Sequence, residues 1–188
     1  MGKLIATEFV SLDGVVEDPG GAEDFKHGGW SFNFDRGEDG DRFKLDETLA
    51  SDALLLGRVT YEGFAEAWPQ REGEFADKFN DMPKYVVSTT LEDPDWNNST
   101  VISGNVTDEV AKLKKELDGE IVIHGSVQLV RSLMEDDLIN EYRLMVFPVV
   151  LGSGKRLFGE SDEAKSLKLV DTKSVGEGVA VITLEPRS

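Results

Sequence analysis

Four short segments carry residues whose types and spacing could do chemistry. His124-Gly125-Ser126 breaks the apolar run Ile121-Val122-Ile123 and opens straight into a helical pattern of Val127, Leu129, Val130, Leu133 and Met134. A strand, a small-residue turn and a helix N-terminus make an anion-binding corner. Unpaired backbone N–H groups point outward there, and the helix dipole adds about half a positive charge. Small residues let a phosphate come close, so a phosphate-bearing cofactor is the first chemistry this corner suggests. Leu56-Gly57-Arg58-Val59-Thr60-Tyr61 supplies a glycine over which a ligand can pass and a cation in Arg58. Its Thr60 hydroxyl can cap a helix or bind a phosphate oxygen. Val87-Ser88-Thr89-Thr90 offers clustered hydroxyls, but the acidic Leu91-Glu92-Asp93 follows with no cation. Ser11-Leu12-Asp13-Gly14 reads as turn chemistry, with Asp13 the candidate proton donor or positioning group.

Other chemistries are set aside on the same grounds. The loop at residues 152–156 is not a P-loop, because Arg156 follows Lys155 where Ser or Thr is required. It also fails the dinucleotide glycine pattern, since Leu157 takes the third glycine position. His27 and His124 are far apart and the chain has no cysteine, so no metal site, disulfide or thiol centre is expected. With 37 acidic against 20 basic residues, the formal charge is −17. Such a surface repels nucleic acid and anionic membranes, and an anionic cofactor must find its favourable groups locally. No apolar stretch approaches the roughly 20 residues that span a bilayer. The start, Met1-Gly2-Lys3-Leu4-Ile5, has no signal-peptide pattern, so a cytoplasmic location is expected.

The elements that must position these segments alternate. At 188 residues the chain reads as one domain with no linker or repeat. Strands are predicted at 3–10, 53–56, 84–88, 100–102, 121–123 and 142–147. Helices are predicted at 41–51, at 60–67, after a cap at Thr107, and after Ser126. The end reads as a hairpin, 167–175 and 179–185, joined through Gly176-Glu177-Gly178. This is an α/β pattern, a three-layer sandwich around a mainly parallel sheet with a C-terminal antiparallel hairpin. Ligands bind such sheets at the carboxyl ends of the strands, where all four segments fall.

The segments TEFVSLDGVV, LLLGRVTYEGF, KYVVSTTL, HGSVQLV, LINEYRL and PVVLGSGKRLF occur in an order that resembles the dihydrofolate reductase-like superfamily. They are most similar to the C-terminal reductase domain of the riboflavin-biosynthesis deaminase/reductase. The resemblance implies an NADPH-dependent reductase acting on a flat heterocycle, a pterin or a ribosyl- or ribityl-bearing aminopyrimidine. It assigns Gly57, Arg58 and Thr60 to the cofactor's phosphates and Ser88 and Thr89 to the adenosine ribose and 2′-phosphate. Gly125, Ser126, Val127 and Gln128 take the pyrophosphate. Phe9, Trp30, Tyr61 and Phe147 are candidate aromatic walls for the substrate. Acids at the start of the first helix (Asp41, with Asp35, Asp39 and Asp46 nearby) leave the substrate-binding carboxylate unassigned. The resemblance also implies a homodimer formed near residues 142–158. A non-catalytic nucleotide-binding protein and a flavin-binding protein are the alternatives.

Overall fold

Apolar runs without alternation become strands buried on both faces. The computed structural model describes residues 1–161 and 163–188. Its strands are β1 (Lys3–Ser11), β2 (Ser51–Gly57), β3 (Lys84–Val87), β4 (Ser99–Ile102), β5 (Glu120–His124), β6 (Glu141–Phe147), β7 (Leu167–Val175) and β8 (Val179–Pro186). They form one sheet in the order β4-β3-β2-β5-β1-β6-β8-β7. The pairs from β4 through to β6 are parallel, and β8 pairs antiparallel with β6 and β7. The mainly parallel sheet closed by an antiparallel hairpin is therefore as the sequence predicts.

Helices cover both faces. On one side α4 (Val106–Glu116) and α5 (Val127–Glu135) press Val110, Leu113, Leu129, Val130 and Leu133 against Leu4, Ala6, Ile121 and Ile123. On the other lie α1 (Gly37–Ala50), α2 (Arg58–Ala67) and α3 (Glu74–Asp81). There Tyr61 and Phe79 pack on Leu54, Leu56 and Val86. Trp30, Met145, Phe147, Val179 and Val181 form a third cluster, with Phe9, Phe34 and Phe43 against it. Among the described residues no helix is long and apolar enough to cross a membrane.

The structure corrects three local expectations. α1 begins at Gly37 rather than at Asp41, and α3 occupies a segment the sequence reading left without an element. The cap of α4 is Asn105, whose Oδ1 accepts the Asp108 N–H at 3.2 Å. Thr107 instead bonds the Asp136 carboxylate. The two edge strands of the sheet are β4 and β7, and on β7 Leu169 and Val170 are about half exposed.

Candidate active site

The carboxyl ends of β1, β2 and β5 gather the phosphate-binding candidates. Gly57 ends β2, and Gly125 and Ser126 follow β5, both in the left-handed region with φ of 57° and 55°. A Cβ on Gly125 would stand 3.0 Å from Thr60 Oγ1, so the close packing as well as the dihedral favours glycine. Thr60 Oγ1 accepts the Ser126 N–H at 3.2 Å and the Ser126 hydroxyl at 3.0 Å. Ser126 Oγ in turn accepts the Gly57 N–H at 2.9 Å. Residues more than sixty positions apart in sequence are thus laced into one turn. No side chain caps α5, so the N–H groups of its first turn, at Val127 and Gln128, stay open to an anion.

The other cofactor candidates stand apart from this knot. Arg58 projects from α2 and pairs with Glu62 at 2.9 Å, both half exposed. Ser88 Oγ accepts the N–H groups of Thr90 and Leu91 at 3.1 and 3.0 Å, so its hydroxyl shapes the turn after β3. Thr89 is exposed beside it.

Asp13 does not have the character of a proton donor. Its carboxylate accepts the Ser11 hydroxyl at 2.6 Å and the N–H groups of Leu151 and Gly152 at 3.1 and 2.8 Å. Those bonds, Ser11 foremost, hold its pKa down at about 2, so it is an anion at neutral pH. It clamps the loop after β1 to the loop after β6, a bond that Glu17 repeats by accepting the Lys155 N–H at 2.8 Å. Three of the four aromatic walls are also corrected. Trp30, Tyr61 and Phe147 are 2%, 2% and 0% exposed. Trp30 donates its ring N–H to the Glu17 carbonyl, and the Tyr61 hydroxyl accepts the Trp96 N–H and reaches Ser99. Large apolar surface took them into the core. Phe9 alone keeps a partly open ring, flanked by the Arg36 guanidinium at 5.2 Å and the Lys44 ammonium at 5.6 Å.

The polar groups beside Phe9 escaped the sequence reading. α1 turns Gly40, Lys44, Glu47 and Thr48 inward and leaves Asp39, Asp41 and Asp46 outside. Lys44 Nζ donates to Thr7 Oγ1 at 2.9 Å and to Glu47 Oε1 at 2.5 Å, and the Thr7 hydroxyl donates to the same Glu47 oxygen. Glu47 Oε2 has no hydrogen bond, though Arg143 stands 3.6 Å away. His124, edge-on to Phe64 and Phe79, is pushed well below its ordinary pKa by burial and then by Lys44, which keeps it neutral. Two signals were available in the sequence. Glu8 interrupts an apolar strand, and Lys44 and Glu47 have the i, i+3 spacing of one helix face.

A central parallel sheet split at β1 and β5, a glycine corner on an uncapped helix, and a polar face on α1 define the dihydrofolate reductase-like class of α/β sandwich. The fold is similar to dihydrofolate reductase of Enterococcus faecalis complexed with NADP(H), with a TM-score of 0.58 at 15% identity over 99% of this chain and 97% of that one. It is more similar to a Shewanella sp. PV-4 protein assigned to riboflavin biosynthesis, with a TM-score of 0.80 at 22% identity over 99% of both chains. The chain belongs to the RibD C-terminal domain family, which matches residues 2–181. It is 31% identical over 185 residues to YyaP of Bacillus subtilis strain 168, covering 96% of this chain and 93% of the relative.

Proposed function

We propose that this protein is an NADPH-dependent reductase that passes hydride to a small nitrogen heterocycle, a pterin or a ribosyl- or ribityl-bearing aminopyrimidine. The observation that carries the reading is the Gly57–Thr60–Gly125–Ser126 knot, which leaves the first turn of α5 uncapped at the sheet's central strand ends. Membership of the RibD C-terminal family supports a reductase of the riboflavin-biosynthesis type. The enterococcal neighbour, solved with NADP(H), supports the cofactor.

NADPH supplies the hydride; the chain supplies position and polarity. In this reading Val127 and Gln128 hold the pyrophosphate through backbone N–H groups, Gly125 and Ser126 shape the turn it rests on, and Arg58 reaches it from α2. Ser88 and Thr89 border the adenosine end. Phe9 gives the heterocycle a face to stack on, and the Lys44 ammonium offers it a hydrogen-bond donor at the α1 side. Asp13 and Glu17 hold the two covering loops together, which limits water at the reacting atoms. The reading includes a homodimer in a cytoplasmic setting, its contact near residues 142–158, and sedimentation as a monomer would remove that part.

Calorimetric titration with NADPH and NADH, followed by NADPH oxidation assays with pterins and aminopyrimidines, tests the proposal. Micromolar NADPH binding with turnover of one heterocycle is the expected result. NADPH binding with no turnover of any of them would turn the reading to a nucleotide-binding protein. Binding of neither nucleotide would overturn it.

A further inference from the structure

β1 turns one row of side chains toward α4 and α5, and Leu4, Ala6 and Val10 in that row belong to the apolar core. Glu8 occupies the same row and is 5% exposed. It lies where the central strands part. β1 pairs with β5 only as far as Thr7 opposite His124, whereas its pairing with β6 runs on to Ser11. Beyond His124 the chain turns away at Gly125, whose backbone N–H lies near enough to the Glu8 carboxyl to favour its charged form. The Glu8 Oε1 is buried with no hydrogen-bond partner. An unpaired buried carboxyl oxygen costs several kcal/mol if charged, and a neutral acid there still has an O–H to place.

We infer that Glu8 is a further residue of the phosphate corner, a neutral acid that donates its O–H to a phosphate oxygen of the dinucleotide held at Gly125 and Ser126. The inference rests on the cofactor reading above. An ionised Glu8 would set a negative charge behind the corner, so each ionised copy must take one proton from solvent as the dinucleotide binds. The surrounding groups agree with a neutral acid. Burial raises the carboxyl well above the ordinary range; Lys44 of α1 opposes this, and Glu47 of α1 adds to it. His124 on β5 stays neutral, and the first turn of α5 brings no acidic residue.

The test is titration of the whole chain with NADPH across the pH range in which it stays folded, in buffers of different ionisation enthalpy. NADH is run in parallel, because it lacks the 2′-phosphate whose own titration would add to the slope. Wild-type affinity is expected to fall by about tenfold per pH unit above the Glu8 pKa, with a binding enthalpy that varies with buffer as one proton is taken up. Glu8→Gln keeps the shape and a donor for the phosphate but cannot ionise, so its affinity should be independent of pH. A Glu8→Gln slope equal to the wild-type slope would overturn the inference. So would a flat wild-type profile with no proton uptake, a result that needs no variant to fold. Absence of any wild-type nucleotide binding overturns the cofactor reading and this one with it, whereas binding without the slope overturns this one alone.

Discussion

Thr60→Val is the sharpest perturbation of the phosphate corner. It removes the oxygen that accepts both the N–H and the hydroxyl of Ser126, at 3.2 and 3.0 Å, and leaves side-chain size almost unchanged. Each bond is worth about 1 kcal/mol net, and a partly buried N–H left unpaired takes the loss toward 2–3 kcal/mol in all. At about 2–4 °C per kcal/mol for a domain of this size, the melting temperature should fall by roughly 4–12 °C. The Ser126 hydroxyl that accepts the Gly57 N–H is then held only by the His124 carbonyl at 3.2 Å, so the link between the β2 and β5 ends loosens. We expect NADPH affinity to drop about tenfold, equivalent to about 1.4 kcal/mol. Thr60→Ser keeps the hydroxyl and should restore both quantities. Thermal denaturation and NADPH titration of the three proteins read the outcome. A Thr60→Val protein with wild-type melting and affinity would refute the role of the knot. Equal losses in Thr60→Ser and Thr60→Val would trace the effect to the methyl group and refute the hydrogen-bond account.

Arg58→Ala should leave stability within about 0.5 kcal/mol, because it breaks only an exposed i,i+4 pair with Glu62. The same variant should weaken NADPH binding by about 1–3 kcal/mol, and unchanged affinity removes Arg58 from the site. Ser88→Ala strips the acceptor from the Thr90 and Leu91 N–H groups and should lower stability by about 1 kcal/mol. The ratio of NADPH to NADH affinity in that variant decides whether the hydroxyl also meets the 2′-phosphate. Asp13 has a folded pKa depressed to about 2, so its stabilisation is complete above the unfolded carboxylate pKa and is lost as pH falls through about 2. No activity titration near neutrality should therefore belong to Asp13. Asp13→Asn should instead speed proteolysis of the loops around Leu151 and Gly152, and an unaltered digestion pattern would count against the clamp.

The strands and the glycine corner were legible because burial on both faces writes continuous apolar runs, and because a strand, a small turn and an apolar helix leave little freedom between them. The inward face of α1 was not legible. Hydrophobic periodicity selects Leu45 and Leu49, yet Leu49 is 39% exposed while Lys44, Glu47 and Thr48 are buried. A helix packs its polar side inward only when another element supplies matching partners, here Thr7 and Arg143, and nothing local announces them. For Asp13, the choice between proton donor and positioning group was hidden for the opposite reason. Its turn was read correctly, but the N–H groups that fix its charge come from 138 and 139 residues away. The aromatic walls failed because Trp30, Tyr61 and Phe147 fit a core as well as a cleft, and only the packing decides.

The charge of the chain sharpens one last prediction. A formal −17 is an unfavourable setting for a polyanionic cofactor, and the corner recruits few cations against it. Arg58 is already shared with Glu62, and the Ser88 turn leads into Glu92 and Asp93. Beside that one shared cation, the corner has backbone N–H groups, hydroxyls and the buried Glu8 carboxyl. A phosphate gripped by several lysines or arginines binds with a steep loss of affinity as salt rises. A phosphate held by dipoles has no such dependence, while the long-range repulsion from the acidic surface is screened as the Debye length shrinks from about 30 Å at 0.01 M to about 3 Å at 1 M. NADPH affinity should therefore stay level or rise with ionic strength. A steep fall in the same titration would mean that a cluster of cations grips the phosphates, and the dipole account of the corner would have to be abandoned.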